Sequence, residues 1–197
     1  MRDRMGREID YLRVSVTDRC NLRCRYCMPG GVPSVEHAEV LRYEELLRLC
    51  GLAAGLGIHA FKVTGGEPLV RRDCMSFLAE LKKLRGVEQV TLTTNGILLP
   101  DHLEALRTAG VDGINVSLDT LDDGLYSSLT GAPPGTAALV WRAAEASAAM
   151  GIHTKLNAVL LPETVEGIVE LTAAADTVPA DIRFIEPVSY THLTLPT

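Results

Sequence analysis

Three cysteines lie close together near the start of the chain. Cys20, Cys24 and Cys27 form a C-x3-C-x2-C pattern between Asp18 and Pro29. Thiolates are soft ligands, so three of them on one short loop predict a soft-metal site. A closed zinc site needs a fourth protein ligand, for which His37 is available. A four-iron, four-sulfur cluster on three cysteines leaves one iron open to a reagent. The spacing therefore favours an iron–sulfur cluster and leaves zinc as the alternative.

A second candidate element is the sequence Thr64-Gly-Gly-Glu-Pro68, which follows a predicted strand. The carboxyl ends of parallel strands are where α/β proteins place their sites. The adjacent glycines let the backbone approach a ligand closely, and Glu67 offers a charged acceptor. The other two cysteines, Cys50 and Cys74, fall in predicted helices, and we expect them to be buried thiols rather than ligands.

Short β-rich runs alternate with longer helical patterns along the chain. The predicted strands are Tyr11–Thr17, Ala60–Thr64, Gln89–Asn95, Gly113–Asp119, His153–Leu160 and Asp181–Glu186. The predicted helices lie near Tyr43–Ala54, Cys74–Leu84, Pro100–Ala109, Ala137–Met150 and Thr164–Ala175. Strand–helix–strand units at this spacing indicate right-handed crossovers and a parallel sheet, and so the α/β class.

The predicted strands alternate apolar with polar residues, whereas a strand buried on both faces would be almost continuously apolar. In the first strand Leu12 and Val14 share one face, and Arg13 points the other way. The same polar phase contains Lys62, Thr93, Ser117 and Lys155. Because the apolar faces must meet the helices, we expect a partial (βα)6-type barrel whose concave side binds a large polar ligand. The alternative is an antiparallel sheet with one wet face, which the long connections disfavour.

The composition excludes several classes of protein. The 197 residues are 47% hydrophobic and 22% charged, which is typical of a folded domain and not of a disordered chain. The formal net charge of −6 argues against a broad nucleic-acid-binding face. No apolar run has the length of a membrane span, and the charged N-terminus lacks the apolar stretch of a signal peptide. We therefore expect a cytoplasmic protein whose cysteines serve metal or redox chemistry.

The cysteine pattern and the Gly-Gly-Glu-Pro sequence together resemble the radical S-adenosylmethionine (SAM) enzymes, which carry both on a partial barrel. Within that superfamily the chain is similar to the GTP 3′,8-cyclases of molybdenum-cofactor biosynthesis, from about Asp10 to Glu186. The segments that carry this similarity are Leu12–Pro29, Thr64–Arg72, Leu92–Gly96, Ile114–Asp119 and Ile182–Glu186.

The resemblance implies a lyase that converts GTP to (8S)-3′,8-cyclo-7,8-dihydroguanosine 5′-triphosphate. It implies one [4Fe–4S] cluster on Cys20, Cys24 and Cys27, whose open iron the methionine end of SAM chelates. It places Tyr26, Gly66, Glu67 and Ser117 at SAM. It places Arg13, Lys62, Thr93, Lys155 and Arg183 at GTP. A reducing electron donor is required, neither nucleic acid nor a membrane is a partner, and a homodimer is compatible with the family.

The chain departs from this family in two places. Lys62 stands where the family usually has Arg on the second strand, and Ala60 corresponds to a family Lys. The similarity stops at Glu186, so we expect residues 1–186 to form the radical SAM barrel and residues 187–197 to be a non-native tail. The last helix and the family's C-terminal extension, which holds a second cluster for the guanine, are then expected to be missing. Another radical SAM enzyme, such as a peptide maturase or a haem-pathway relative, is the alternative, and a zinc-binding domain is a more remote one.

Overall fold

The computed structural model describes residues 2–27 and 39–187. His37 and most of the expected tail, residues 188–197, lie outside the described residues, as do Met28 and Pro29 of the cysteine segment. The strands are β1 (Tyr11–Ser15), β2 (Ala60–Thr64), β3 (Gln89–Thr94), β4 (Gly113–Ser117), β5 (His153–Val159) and β6 (Ala180–Ile185). The helices are α1 (Tyr43–Gly55), α2 (Cys74–Lys83), α3 (Leu99–Thr108), α4 (Asp123–Thr130), α5 (Thr136–Ala149) and α6 (Ile168–Ala175).

The six strands form one parallel sheet in the order β1-β2-β3-β4-β5-β6, so each strand pairs with the next one in the chain. This order is compatible with a partial barrel, because every crossover advances in the same direction. The predicted α/β class and the parallel sheet are confirmed, and the antiparallel alternative is wrong. The predicted strands differ from the observed ones only at their ends.

The side of the sheet that packs against the helices is apolar, as the alternation predicted. Phe61, Val63, Leu92, Ile114 and Leu156 are at most 1% exposed and form the centre of the core. The edges of the sheet are less well covered. Leu12 in β1 shares the apolar phase but is 37% exposed, and Ile182 in β6 is only partly buried. An edge strand has a neighbour on one side only, so fewer helix side chains reach it.

The opposite side of the sheet carries the polar residues in continuous rows. Arg13 in β1 pairs with Lys62 in β2, which in turn pairs with Thr91 in β3. Thr93 pairs with Asn115, and Asn115 with Lys155. We call this side the inner face, which also carries Ser117, Asn157, Asp181 and Arg183. Residues from six separate parts of the sequence thus share one polar surface.

Helix α4, which the sequence analysis missed, lies between β4 and α5. Its start is capped by Asp122, whose Oδ1 accepts a hydrogen bond of 2.7 Å from the backbone N–H of Leu125. Its end is followed by Gly131 in the left-handed conformation, at φ 73°. An N-cap aspartate and a C-terminal glycine are local signals for a helix, so this helix was detectable from the sequence. Gly124 inside the segment and its short length masked the helical pattern.

Candidate functional site at the carboxyl ends of the strands

The cysteine loop, residues 16–27, leaves β1 at its carboxyl end and lies beside the loop that follows β2. The β1–β2 pairing continues past both strands, since the N–H of Val16 donates to the carbonyl of Thr64 at 2.9 Å. Further along, the N–H of Gly66 donates to Thr17 at 2.7 Å and the N–H of Glu67 donates to Arg19 at 2.8 Å. The Gly-Gly-Glu-Pro turn therefore supports the first half of the cysteine loop.

The two glycines of that turn are needed because the cysteine loop passes directly against them. A Cβ atom on Gly66 would lie 2.3 Å from the carbonyl oxygen of Arg19, and one on Gly65 would lie 2.5 Å from that of Thr17. Real Cβ contacts are never this short, and the obstructing atoms are backbone, which cannot move aside cheaply. The sequence analysis assigned the glycines to close approach of a ligand. In the structure it is the backbone of the cysteine loop, at Thr17 and Arg19, that comes this close.

The second half of the cysteine loop is held by the end of α4. The N–H of Arg23 donates to the carbonyl of Thr130, and the N–H of Arg25 donates to that of Leu129, both at 2.9 Å. The last carbonyls of a helix have no partners within the helix, so they are available to neighbouring N–H groups. Helix α4 is therefore part of the scaffold of the candidate metal site.

Tyr26 ties the cysteine loop to the end of β4. Its hydroxyl donates a hydrogen bond to Oδ2 of Asp119, and Oδ1 of Asp119 accepts one of 2.8 Å from the N–H of Val159. Asp119 is 5% exposed. Burial raises the pKa of Tyr26, and the negative charge of Asp119 raises it further, so the phenol stays protonated and remains a donor. Asp119 lies in one of the segments similar to the family, but its role could not be predicted from the sequence.

Glu67 has no exposed surface, and its carboxylate is fully engaged by protein groups. Oε1 accepts hydrogen bonds from the N–H of Leu69 at 3.0 Å and from the hydroxyl of Thr94 at 2.8 Å, and Oε2 accepts one of 2.6 Å from the N–H of Asn95. Thr94 is itself buried and shares the apolar phase of β3. The sequence analysis placed Glu67 among the SAM contacts. In this structure its two oxygens join the turn after β2 to the end of β3, so Glu67 also positions the loop on which Gly66 lies.

Asn95 extends this network to the first cysteine. Its side-chain N–H group donates to Oδ1 of Asn21 at 2.7 Å and lies 3.9 Å from Sγ of Cys20. The N–H of Leu22 also points at the same sulfur, at 3.4 Å. Donors around a sulfur ligand orient it and stabilise its negative charge. Asn95 is a site residue that the sequence analysis included in a segment without assigning it a role.

The thiols of Cys20, Cys24 and Cys27 lie near enough to affect one another. Burial raises the pKa of Cys24 to about 11, and the charges of Asp119, Cys27 and Cys20 add to this effect. The pKa of Cys27 is also raised, by burial and then by Cys20. All three thiols are free, and Cys27 is exposed. Without a metal the raised pKa values keep the thiols of Cys24 and Cys27 protonated, and metal binding would have to release those protons.

This donor set fits a four-iron, four-sulfur cluster better than a single ion. Among residues 2–27 and 39–187, no three His, Cys, Asp or Glu side chains are gathered as around one metal ion. In a cluster each thiolate binds a different iron atom, so the three sulfurs need not meet at one point. Three neighbouring thiols on a supported loop match that requirement. Cys50 and Cys74 are buried at 1% and 3% exposure, which confirms their prediction as buried thiols.

The predicted SAM contacts lie at the carboxyl ends of the strands. Tyr26 is on the cysteine loop, half-buried Gly66 follows β2, and half-buried Ser117 is the last residue of β4. The structure thus brings Tyr26 and Gly66 to the same loop pair and Ser117 to the same edge of the sheet. Of the arginines that follow this turn, Arg71 stacks on the ring of Tyr43 and donates to Val16 and Leu41, and Arg72 is exposed.

Four cations gather on the inner face of the sheet. Lys62 and Lys155 line a cavity of about 200 Å³ together with Arg183, and Arg13 lies beside Lys62 in the strand register. Burial lowers the pKa of Lys62, and the charges of Arg13, Arg183 and Lys155 lower it further. These four residues were all predicted as substrate contacts, and the structure brings them together. The predicted Thr93 is half-buried on the same face.

The class of protein follows from this fold and site, and the sequence comparison agrees with it. The Radical SAM superfamily matches residues 14–175. The chain belongs to this superfamily, whose members use a [4Fe–4S] cluster and SAM, as predicted.

More particular similarities are found among individual proteins. A GTP 3′,8-cyclase from Heliobacterium modesticaldum is 47% identical over 192 residues, which cover 94% of this chain and 57% of that protein. A GTP 3′,8-cyclase from Petrotoga mobilis is 42% identical, covering 94% of this chain and 58% of its own. The chain thus spans a little over half the length of these curated relatives.

A solved structure supports the fold. The crystal structure of Streptococcus suis SuiB bound to S-adenosylmethionine is similar, with a TM-score of 0.79 and 23% identity, covering 94% of this chain and 42% of SuiB. At this identity the likeness shows the fold alone. No helix in the described ranges is long and apolar enough to cross a membrane.

Proposed function

We propose that the chain is the barrel portion of a radical SAM enzyme that cyclises GTP for molybdenum-cofactor biosynthesis, a lyase reaction that yields (8S)-3′,8-cyclo-7,8-dihydroguanosine 5′-triphosphate. The observation that carries this proposal is the group of four cations, Arg13, Lys62, Lys155 and Arg183, on the inner face of the sheet. The similarity to two GTP 3′,8-cyclases at 47% and 42% identity supports it.

A triphosphate is the kind of ligand that such a group of cations would attract. The chain has a formal net charge of −6, so a local concentration of positive charge is not a consequence of its composition. The cost of the arrangement is visible at Lys62, whose pKa is lowered by burial and by the three neighbouring cations. An anion that contacts several of them would offset this repulsion. A neutral substrate would not reduce the repulsion between the four cations.

The other predicted residues have separate proposed roles in binding the cluster, SAM and GTP. When bound, the cluster and SAM would supply the radical chemistry of the reaction. Cys20, Cys24 and Cys27 hold the cluster. Tyr26, Gly66 and Ser117 bind SAM at the carboxyl ends of the strands, and Thr93 and the four cations bind GTP on the inner face. Glu67, predicted at SAM with these residues, also fixes the turn on which Gly66 lies.

Lys62 is expected to bind phosphate less selectively than an arginine would. Its ammonium group is a point charge, whereas a guanidinium offers a planar pair of donors to two phosphate oxygens. In this chain the ammonium lies 5.9 Å from the centre of the Tyr11 ring. We expect it to contribute long-range attraction, while Arg13 and Arg183 supply the directional contacts.

The setting of the reaction is also part of this proposal. A low-potential electron donor must reduce the cluster, and the reducing cytoplasm is the compartment in which such a donor and the free thiols would both persist. The two relatives are longer than this chain. A second cluster that positions the guanine, and any dimer contact, are proposed for the part of those relatives that the chain does not span.

Nucleotide binding tests the proposal directly. We expect the full chain to bind GTP more tightly than guanosine in equilibrium dialysis. Replacing Arg13 or Lys155 by Gln should weaken GTP binding about tenfold to a hundredfold, the loss expected for a hydrogen bond to a charged group. Arg85→Gln makes the same charge change at an exposed position outside the inner face and should leave binding unchanged. A chain that binds guanosine as tightly as GTP would overturn the proposal.

Product analysis tests the chemistry separately. With the cluster reconstituted anaerobically, SAM and dithionite, we expect slow release of 5′-deoxyadenosine. We expect no cyclised GTP, because phosphate contacts alone cannot place the ribose accurately and a displacement of about 1 Å can cost about a hundredfold in rate. Cyclised GTP formed at the rate of an intact relative would show that the guanine anchor lies within this chain.

A further inference from the structure

Asp181 stands out on the inner face of the sheet. Within β1 to β6 the residues on this face are cationic or uncharged, apart from this one carboxylate. It lies opposite Lys155 in the β5–β6 register, and the next inner-face pair is Asn157 with Arg183. The carboxylate is therefore placed at the edge of the proposed phosphate site.

The carboxylate of Asp181 binds a residue that we propose for phosphate binding. Its Oδ2 accepts a hydrogen bond of 3.0 Å from Nζ of Lys155, and Nε2 of His153 lies 3.3 Å from the same oxygen. Lys155 and His153 both line the inner-face cavity. The hydrogen bond and the charge of Lys155 hold the pKa of Asp181 below its ordinary value, so the carboxylate is negatively charged at neutral pH.

We propose that Asp181 is an internal counter-ion for Lys155, which a phosphate of the substrate replaces on binding. This inference rests on the proposed function, because it assumes that an anion binds at Lys155. Without ligand, Asp181 would hold Lys155 against β6 and neutralise one of the four crowded cations. With ligand, a phosphate oxygen would take the place of the carboxylate as the partner of Nζ.

The exchange has two consequences of opposite sign. Removing the charge of Asp181 leaves Lys155 unpaired among Arg13, Lys62 and Arg183, so the ligand-free chain should become less stable. The same change removes an anion that competes with and repels the phosphate, so GTP should bind more tightly. A residue that only positioned Lys155 for the substrate would behave differently, because its loss would weaken both stability and binding.

The test uses Asp181→Asn in the full chain, with GTP as the probe. We expect the dissociation constant for GTP to fall about threefold to fivefold, as is typical for a partly exposed ion pair. We expect the melting temperature without ligand to fall by about 1–3 °C. Glu170→Gln is the matched control for binding, because it makes the same charge change at an exposed position on α6 and should leave the dissociation constant for GTP unchanged.

A double-mutant cycle separates this inference from a general effect of charge. In a Lys155→Gln background, Asp181→Asn should no longer tighten GTP binding, because the carboxylate has lost the group for which it competes. Equal tightening in both backgrounds would overturn the inference, and so would unchanged or weaker GTP binding by Asp181→Asn alone. Either result would leave the proposed function standing if the wild-type chain binds GTP. A wild-type chain that does not bind GTP would overturn both.

Discussion

The hydroxyl of Tyr26 and the carboxylate of Asp119 are 93 residues apart in the sequence and form one hydrogen bond between the cysteine loop and the end of β4. Asp119 also accepts from the N–H of Val159, so it joins the loop to two strands at once. The position of the last two cysteines therefore depends on a contact that neither the loop nor the strands make alone.

Tyr26→Phe should destabilise the chain and reduce its iron content after reconstitution. The substitution keeps the ring but leaves one oxygen of the buried Asp119 without its partner, which typically costs about 1–3 kcal/mol in the free energy of unfolding. Urea unfolding measures the stability, and iron analysis measures the cluster. Tyr43→Phe is the control, because the buried Tyr43 hydroxyl has the Cys74 thiol as its partner, which is a weak one, and its removal should cost little stability. Equal losses in both variants would contradict the role given to Tyr26.

Gly66→Ala should disrupt the cysteine loop. The new Cβ would lie 2.3 Å from the carbonyl oxygen of Arg19, so one of the two loops has to move. We expect a loss of more than about 2 kcal/mol in stability, as for other overpacked sites, together with most of the bound iron. Circular dichroism, urea unfolding and iron analysis are the measurements.

Gly51→Ala makes the same chemical change but is expected to have the opposite effect on stability. Gly51 lies inside α1, and a Cβ there meets nothing within 4 Å. Alanine favours a helix over glycine, so this variant should be more stable by about 0.5–1 kcal/mol and keep its iron. If Gly66→Ala matched it in stability and iron content, the explanation of the Gly-Gly turn would be wrong.

Glu67→Gln should cost about 1.5–3 kcal/mol in the free energy of unfolding at pH 7. Glu67 accepts from donors on both oxygens, and an amide must turn its own N–H group toward one of them. Glu80→Gln, which alters an exposed ion pair with Lys83 on α2, should change stability by a few tenths of a kcal/mol. A Glu67→Gln variant as stable as this control would show that the hydrogen bonds accepted by Glu67 do not stabilise the chain.

The stability difference between the wild type and Glu67→Gln should also depend on pH. Burial raises the pKa of Glu67 above its ordinary value of 4.5, despite its hydrogen bonds, which act in the opposite direction. The folded chain therefore holds a proton on Glu67 at pH values where the unfolded chain has lost it, and the contribution of Glu67 to stability falls as the pH rises through that interval. Urea unfolding at pH 5 and pH 7 should give a larger difference at pH 5. A stability difference that is smaller at pH 5 than at pH 7 would contradict this prediction.

Cys24→Ser should lose most of the iron while keeping the fold, because Cys24 is a proposed cluster ligand. Cys50→Ala removes a thiol buried in the core and should keep its iron, at a moderate cost in stability. Iron analysis and circular dichroism after anaerobic reconstitution distinguish the two. Unchanged iron in Cys24→Ser would exclude the three-cysteine site.

The thiols of the cluster-free chain should be alkylated at different rates. Burial raises the pKa of both Cys50 and Cys74 to about 11, and both are at most 3% exposed, so they should react only on unfolding. Cys27 is exposed and should react first. Mass spectrometry after timed treatment with iodoacetamide reports the order, and early labelling of Cys50 would contradict the buried environment described above.

The sequence by itself determined the chemistry-bearing residues and the side of the sheet on which they lie. The spacing of Cys20, Cys24 and Cys27 is local, and a strand places alternate residues on opposite faces, so Arg13, Lys62 and Lys155 could be assigned to one surface without knowing how the strands pair. The parallel order followed from the length of the connections. These features depend on neighbours along the chain, which a sequence records directly.

Only the tertiary structure decided how those residues are held and paired. The glycine at position 66 makes room for the carbonyl of Arg19, and the buried Glu67 joins the turn to the end of β3. The pairing of Lys155 with Asp181 requires the register between β5 and β6. Such contacts join residues that are far apart in the sequence, and their energy depends on distances and burial that arise only when the strands and loops meet.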